Sequence, residues 1–167
     1  MNDPRAELLA ALDPVLPACA DLLAGPIVAD ERAVKAALEA RFPADGPVAR
    51  RIADALRAGV AAGVLCDRGE PPARFGRVAK PSPETSDLSI DVVWLTGAGL
   101  RHAHPRGEIT FGIADEASCA ETVRFDGAPP GWHVRAPGSV HTPEVTGGGM
   151  ILLYVLPGGA IDWQPGG

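Results

Sequence analysis

Apolar residues recur at intervals of three and four along the first third of the chain and at intervals of about two along the rest. The first rhythm is that of one helix face, and the second is that of a strand with one side turned inward. Residues 5–12 form one short helical candidate. Asp30 stands where it can cap a second, in which Val34, Ala37, Leu38 and the Arg41-Phe42 pair keep the spacing. Pro47 suits the first turn of a third. There Val48, Ile52, Ala55, Leu56 and Val60 make one apolar stripe, with Arg50, Arg51, Asp54 and Arg57 largely off it. Val64-Leu65-Cys66, a turn at Asp67-Arg68-Gly69 and residues 74–78 read as a small hairpin. Beyond Pro71-Pro72 the chain breaks into short β-type runs at 89–96, 108–115, 122–125, 132–136 and 150–156. They are separated by Gly97-Ala98-Gly99, Pro105-Arg106-Gly107, Asp126-Gly127 and Gly147-Gly148-Gly149. Many short strands between regular turns predict a sandwich or small barrel. The expectation is therefore a helical N-terminal segment over 1–70, serving as a cover or dimerisation element, and a β domain over 71–167.

Composition narrows the function classes. The 167 residues are 46% hydrophobic, enough for one domain with a real core. A net charge of −6 disfavours nucleic acid and anionic membrane as partners, since both draw on surplus positive charge. Helices followed by a hairpin also fit a winged helix with Arg50, Arg51 and Arg57 on a DNA backbone, but basic residues on the polar face of an acidic protein are more simply solvated. Cys19, Cys66 and Cys119 are odd in number and lack C-x-x-C spacing, which predicts reduced, buried thiols. No apolar run approaches a membrane span, and the first four residues lack the basic-then-apolar pattern of a leader. A cytoplasmic protein is expected.

All four histidines, His102, His104, His133 and His141, fall in the β half. In His102-Ala103-His104 a strand turns both imidazoles to one face, so they can reach one point. Glu108 opens the next strand after a turn, and His141 can bring a third nitrogen from a distant one. Three imidazoles and a carboxylate suit a divalent transition ion: iron or manganese, with zinc or nickel as alternatives. If Glu108 faces inward, so do Thr110, Gly112 and Ala114. Ile109, Phe111 and Ile113 then face outward and need cover from the helices or a partner subunit. Taking Trp132, Val134 and Ala136 as inward predicts that His133 and Arg135 point out.

With these residues on the page, the chain resembles a cupin. Gly97-(x)4-His102-x-His104-(x)3-Glu108 is similar to the first cupin motif, and Gly131-(x)5-Pro137-Gly138-(x)2-His141 to the second. The resemblance implies a jelly-roll β-barrel with His102, His104, Glu108 and His141 on the metal. A narrower resemblance spans nearly the full chain. Phe75-Gly76-Arg77-Val78, Val93-Trp94-Leu95-Thr96-Gly97, the run from His102 to Ile109, the run from Ala136 to His141 and the run from Leu156 to Trp163 are similar to the 4-hydroxylaminobenzoate lyase family. That resemblance implies conversion of 4-hydroxylaminobenzoate to protocatechuate with release of ammonia, a net hydration needing neither nicotinamide nor flavin. The absence of a G-x-G-x-x-G turn or phosphate-binding loop agrees with it. Glu108 and His104 are then the catalytic expectation, with Glu108 either a ligand or a proton shuttle. A benzoate carboxylate calls for an arginine fork. Arg77 is preferred among Arg77, Arg101, Arg106, Arg124 and Arg135, and Trp94, Tyr154 and Trp163 are candidates to flank the ring. A homodimer is expected. Two rivals remain: an iron-dependent dioxygenase using the same ligands, and a non-catalytic metal or ligand sensor.

Overall fold

The computed structural model describes residues 2–164; Met1 and 165–167, the outer ends of the two expected segments, lie outside the described residues. Four helices come first: α1 (Pro4–Leu12), α2 (Val15–Ala24), α3 (Glu31–Arg41) and α4 (Pro47–Ala61). Asp3 accepts from Arg5 N–H at 3.0 Å and Asp30 from Ala33 N–H at 3.1 Å, so two helices start where a carboxylate meets otherwise unpaired amides. Helix α2 was not expected from the pattern. Its residues are apolar almost all round, with Asp21 the one charge, so no polar face marks the period.

Eleven strands follow among the described residues: β1 (Arg68–Glu70), β2 (Ala73–Ala79), β3 (Leu88–Leu95), β4 (His102–His104), β5 (Glu108–Ala114), β6 (Arg124–Phe125), β7 (Gly131–Arg135), β8 (Ser139–His141), β9 (Val145–Thr146), β10 (Met150–Pro157) and β11 (Asp162–Trp163). The small hairpin exists but is shifted. Its first strand is β1, and Pro71-Pro72 makes the connection because Glu70 pairs with Ala73; residues 64–66 lie before it, outside any strand. The strands form an antiparallel six-stranded sheet ordered β1-β2-β3-β10-β5-β7, a three-stranded sheet β11-β4-β8 and a β6-β9 pair. From β4 onward the chain alternates between the large sheet (β5, β7, β10) and the smaller ones (β4, β6, β8, β9, β11). This is the winding of a jelly roll. The fold is thus mainly β with an α-helical N-terminal segment, but the expected barrel is not closed by hydrogen bonds, because the sheets keep separate edges.

The strands β3, β10, β5 and β7 of the large sheet are buried on both faces along most of their length. One carries Ile90, Val92, Ile109, Phe111, Ile113, Trp132, Val134, Ile151, Leu153 and Val155, all packed with the helices in a single hydrophobic core. The indole N–H of Trp132 donates to the Phe42 carbonyl at 2.8 Å, and Ala136 N–H donates to Glu31 Oε1 at 2.8 Å. The helices therefore cover the Ile109-Phe111-Ile113 stripe. The other face is apolar at one end, where Leu95, Met150, Leu152 and Tyr154 meet Val123, Phe125 and Val145.

The register corrects one expectation. Glu108 pairs with Arg135 and Thr110 with His133, and directly paired residues share a face. His133 and Arg135 consequently point inward beside Glu108, while Trp132 and Val134 face the helices. The expectation failed because it took the more apolar set as the interior of the β domain; in a sheet covered on both sides, that set can equally belong to the helix contact. Among the described residues no helix is long and apolar enough to cross a membrane.

Candidate metal centre

Strand β4 pairs with β8 so that His102 lies opposite His141, and alternation along β4 sets His104 on the same face. The three imidazoles converge through one atom each. His102 Nε2 is 3.0 Å from His104 Nε2, His104 Nε2 is 3.0 Å from His141 Nε2, and His141 Nε2 is 3.1 Å from His102 Nε2. His102 and His104 are buried and His141 half-buried.

The outer nitrogens decide what that triangle is. His102 Nδ1 lies 2.7 Å from the Leu100 carbonyl oxygen and His141 Nδ1 lies 2.8 Å from Asp126 Oδ2. Both oxygens accept only, so each Nδ1 donates its proton and each Nε2 presents a lone pair. Two lone pairs thus face each other, and a proton on His104 Nε2 could satisfy one of them at a time. A cation at the shared point satisfies all three. Three nitrogens bound at about 2.0–2.1 Å to one ion would stand about 3 Å apart, which matches the separations here. Burial, reinforced by the neighbouring imidazoles, pushes His104 down to about 3, and burial also holds His102 below the ordinary range. Both rings are kept neutral, the form that binds metal.

Asp126 is the residue the sequence reading missed. It sits in the left-handed region at φ 48° in the turn after β6. Its carboxylate accepts from His141 Nδ1, from Glu144 N–H at 2.8 Å and from Arg135 Nη2. Burial works to raise its pKa, but the hydrogen bonds from His141 and Glu144 and the Arg135 charge hold it below the usual carboxylate value. Its one sequence signal is the Asp126-Gly127 turn dipeptide.

Glu108 stands on the far side of His104 from the point of convergence. Its Oε1 accepts from the Thr110 hydroxyl at 2.8 Å, and its Oε2 lies 3.4 Å from His104 Nδ1, which has no hydrogen-bond partner among the described residues. Burial raises the Glu108 carboxyl to about 8. The geometry joins His102, His104 and His141 and puts Glu108 behind His104. Of the residues expected against a substrate, Tyr154 is on the inner face, paired with Thr110. Arg77 shares that face, since it pairs with Asp91 and Asp91 with Tyr154, but it is tied to Asp91 at 2.9 Å in a surface cleft of about 540 Å³ toward the other edge of the large sheet. Trp94 packs with the helix-side core and donates to Asp115 Oδ2 at 2.9 Å, away from the histidines. Trp163, largely exposed, lies with its ring 5.2 Å from that of His102.

Comparison with known proteins gives consistent matches. The sequence profile of the PnbB 4-hydroxylaminobenzoate lyase family matches residues 26–163. A 4-hydroxylaminobenzoate lyase of Nocardioides sp. (strain LMS-CY) is 34% identical over 123 residues, 70% of each chain. One from Pseudomonas putida is 31% identical over 171 aligned positions, 91% of this chain and 95% of that one. Among solved structures, an RmlC-like cupin protein from Ralstonia eutropha JMP134 aligns with TM-score 0.42 and 13% identity over 57% of this chain and 62% of that one.

Proposed function

Because this chain belongs to the 4-hydroxylaminobenzoate lyase family and is a lyase, we propose that its three-histidine centre acts on 4-hydroxylaminobenzoate or a closely related small aromatic acid, giving protocatechuate and ammonia. The observation that carries this reading is the Nε2 triangle with two outer nitrogens pinned by acceptors, which leaves lone pairs aimed at one point. Water enters and ammonia leaves, so atoms balance with no net oxidation. His102, His104 and His141 would hold a divalent transition ion; three imidazoles suit iron, nickel or zinc, whereas manganese, expected when a carboxylate is counted in the set, prefers oxygen ligands. When bound, the ion supplies a Lewis acid for the N–OH oxygen.

The chain's own residues do the rest. Leu100 and Asp126 fix the two outer rings, so the ligand nitrogens are oriented before metal arrives. Glu108, aligned by Thr110, faces His104 Nδ1 and can take a proton from it or return one. Tyr154 on the inner face is retained as a wall for the substrate ring; Arg77 lies in the same row through Asp91 but is already paired there, and Trp94 packs on the helix side.

The test is elemental analysis together with an ammonia assay on 4-hydroxylaminobenzoate, with oxygen uptake followed in parallel. We expect about one ion per wild-type chain, ammonia without oxygen uptake, and loss of both ion and ammonia in His141→Ala. Equal metal in both proteins would remove the centre; full metal without ammonia would remove the substrate assignment.

A further inference from the structure

We propose that Arg135 binds the substrate carboxylate, so that an aromatic acid bound beside the three-histidine centre is selected by its charge. The inference rests on the reading above that the substrate is an aromatic acid, and it names the residue that would select it.

A planar carboxylate is matched by a planar guanidinium fork. Of the other arginines considered, Arg101 is exposed and three are engaged with other groups. Arg77 is held by Asp91, Arg106 stands 3.8 Å from Asp87 with both side chains more than half exposed, and Arg124 donates to the carbonyl of its neighbour Val123. Arg135 instead shares the inner face with Glu108, its direct cross-strand partner. Through Nη2 it donates to Asp126, the same carboxylate that holds His141. That carboxylate also takes the Glu144 amide and the His141 ring N–H. Its charge is thus divided among three donors, which leaves the guanidinium incompletely neutralised.

Two further features mark a place for an anion. The Arg135 Nε–H is buried and has no acceptor among the described residues, an unfavourable state for a charged donor unless something supplies one. The side chain is nonetheless 27% exposed, so it is not sealed from solvent. Aromatic surface lies alongside. His133, two residues earlier on the same face, stands edge-on to Phe125 at 5.1 Å between ring centroids, and Phe125 stands edge-on to Tyr154 at 6.5 Å.

The probe is 4-aminobenzoate, which carries the acid but has no N–O bond to break, compared with 4-aminobenzamide, which lacks the charge. Binding is measured by calorimetry on metal-loaded wild type, Arg135→Gln and Arg135→Lys. Wild type should prefer the acid about tenfold to a hundredfold; the preference should shrink in Arg135→Lys and vanish in Arg135→Gln, with affinity for the amide unchanged. A residue that merely steadied Asp126 would weaken both probes together and lower metal content in step. That result overturns the proposal, as does an unchanged preference in Arg135→Lys or no preference in wild type. If Arg135→Gln sheds its metal, the Lys variant carries the comparison. Wild type that prefers the acid yet releases no ammonia from 4-hydroxylaminobenzoate would defeat the lyase reading and leave the anchor standing.

Discussion

A histidine ligand is aimed by its second nitrogen, and at this centre two rings are aimed by hydrogen bonds, His102 by a backbone carbonyl and His141 by a carboxylate shared with an arginine, while the buried Glu108 carboxyl stands 3.4 Å from His104 Nδ1. Asp126 is the most demanding of them, because one side chain positions His141, anchors the Glu144 amide and ties down Arg135. Asp126→Asn keeps the shape, but its amide can present either an oxygen or an NH2 to His141, so the ring is no longer forced to donate from Nδ1. Outer partners of this kind are commonly worth tenfold to a hundredfold in metal affinity. A drop of about that size, read by competition with a chelator, is expected while circular dichroism stays unchanged. His133 makes a separate contribution through pH. Burial, with lesser effects from neighbouring charges, holds it down to about 4, whereas an unfolded histidine takes a proton near 6.5. Between those values the unfolded chain binds the extra proton, so stability is full above about pH 6.5 and falls as pH drops toward 4, by a total on the order of 3 kcal/mol. Melting of metal-free protein between pH 7 and 4.5 should therefore fall more steeply in wild type than in His133→Asn; parallel curves would show that His133 does not titrate as its burial implies.

At the scale of elements, legibility followed how one-sided each environment is. Helix α4 could be read because its apolar stripe and its arginines occupy different faces, and α3 because Asp30 caps it. Strand β4 could be read because two polar rings alternate with an alanine, and β5 because Glu108 and Thr110 alternate with Ile109 and Phe111. Helix α2 had no polar side, and β8, β9 and β11 are two or three residues long, too short for any period to accumulate. Strand β7 is the instructive case. Its alternation was plain, but alternation gives two faces without saying which is which; only the pairing of Arg135 with Glu108 and of Trp132 with Phe111 assigned them. The three-histidine set was legible for the same local reason as β4. Asp126 and Arg135 were not, because their roles depend on a turn and an edge strand brought together by the winding of the sheets.

At the scale of the molecule, the helices and the sheet divide the work of burial. The helix-side face of the sheet carries most of the large apolar residues, while the inner face gives up part of its core to Glu108, Thr110, His133 and Arg135. Polar groups buried without full pairing cost stability, so the helical cover supplies the apolar burial that the metal side lacks. Helix residues such as Leu12, Leu38 and Leu56 and sheet residues such as Phe111, Trp132 and Leu153 belong to one continuous core, and a shared core unfolds as a unit. Helix loss at 222 nm and tryptophan emission, which includes Trp132 on the Phe42 carbonyl, should therefore report one coincident thermal transition in the metal-free protein. Added metal should move both signals upward together, because an ion that binds only the folded state stabilises whatever folds with its site. Two separated transitions, with metal shifting the fluorescence and leaving the helix signal behind, would show that the helices are an independent attachment rather than half of the enzyme's core.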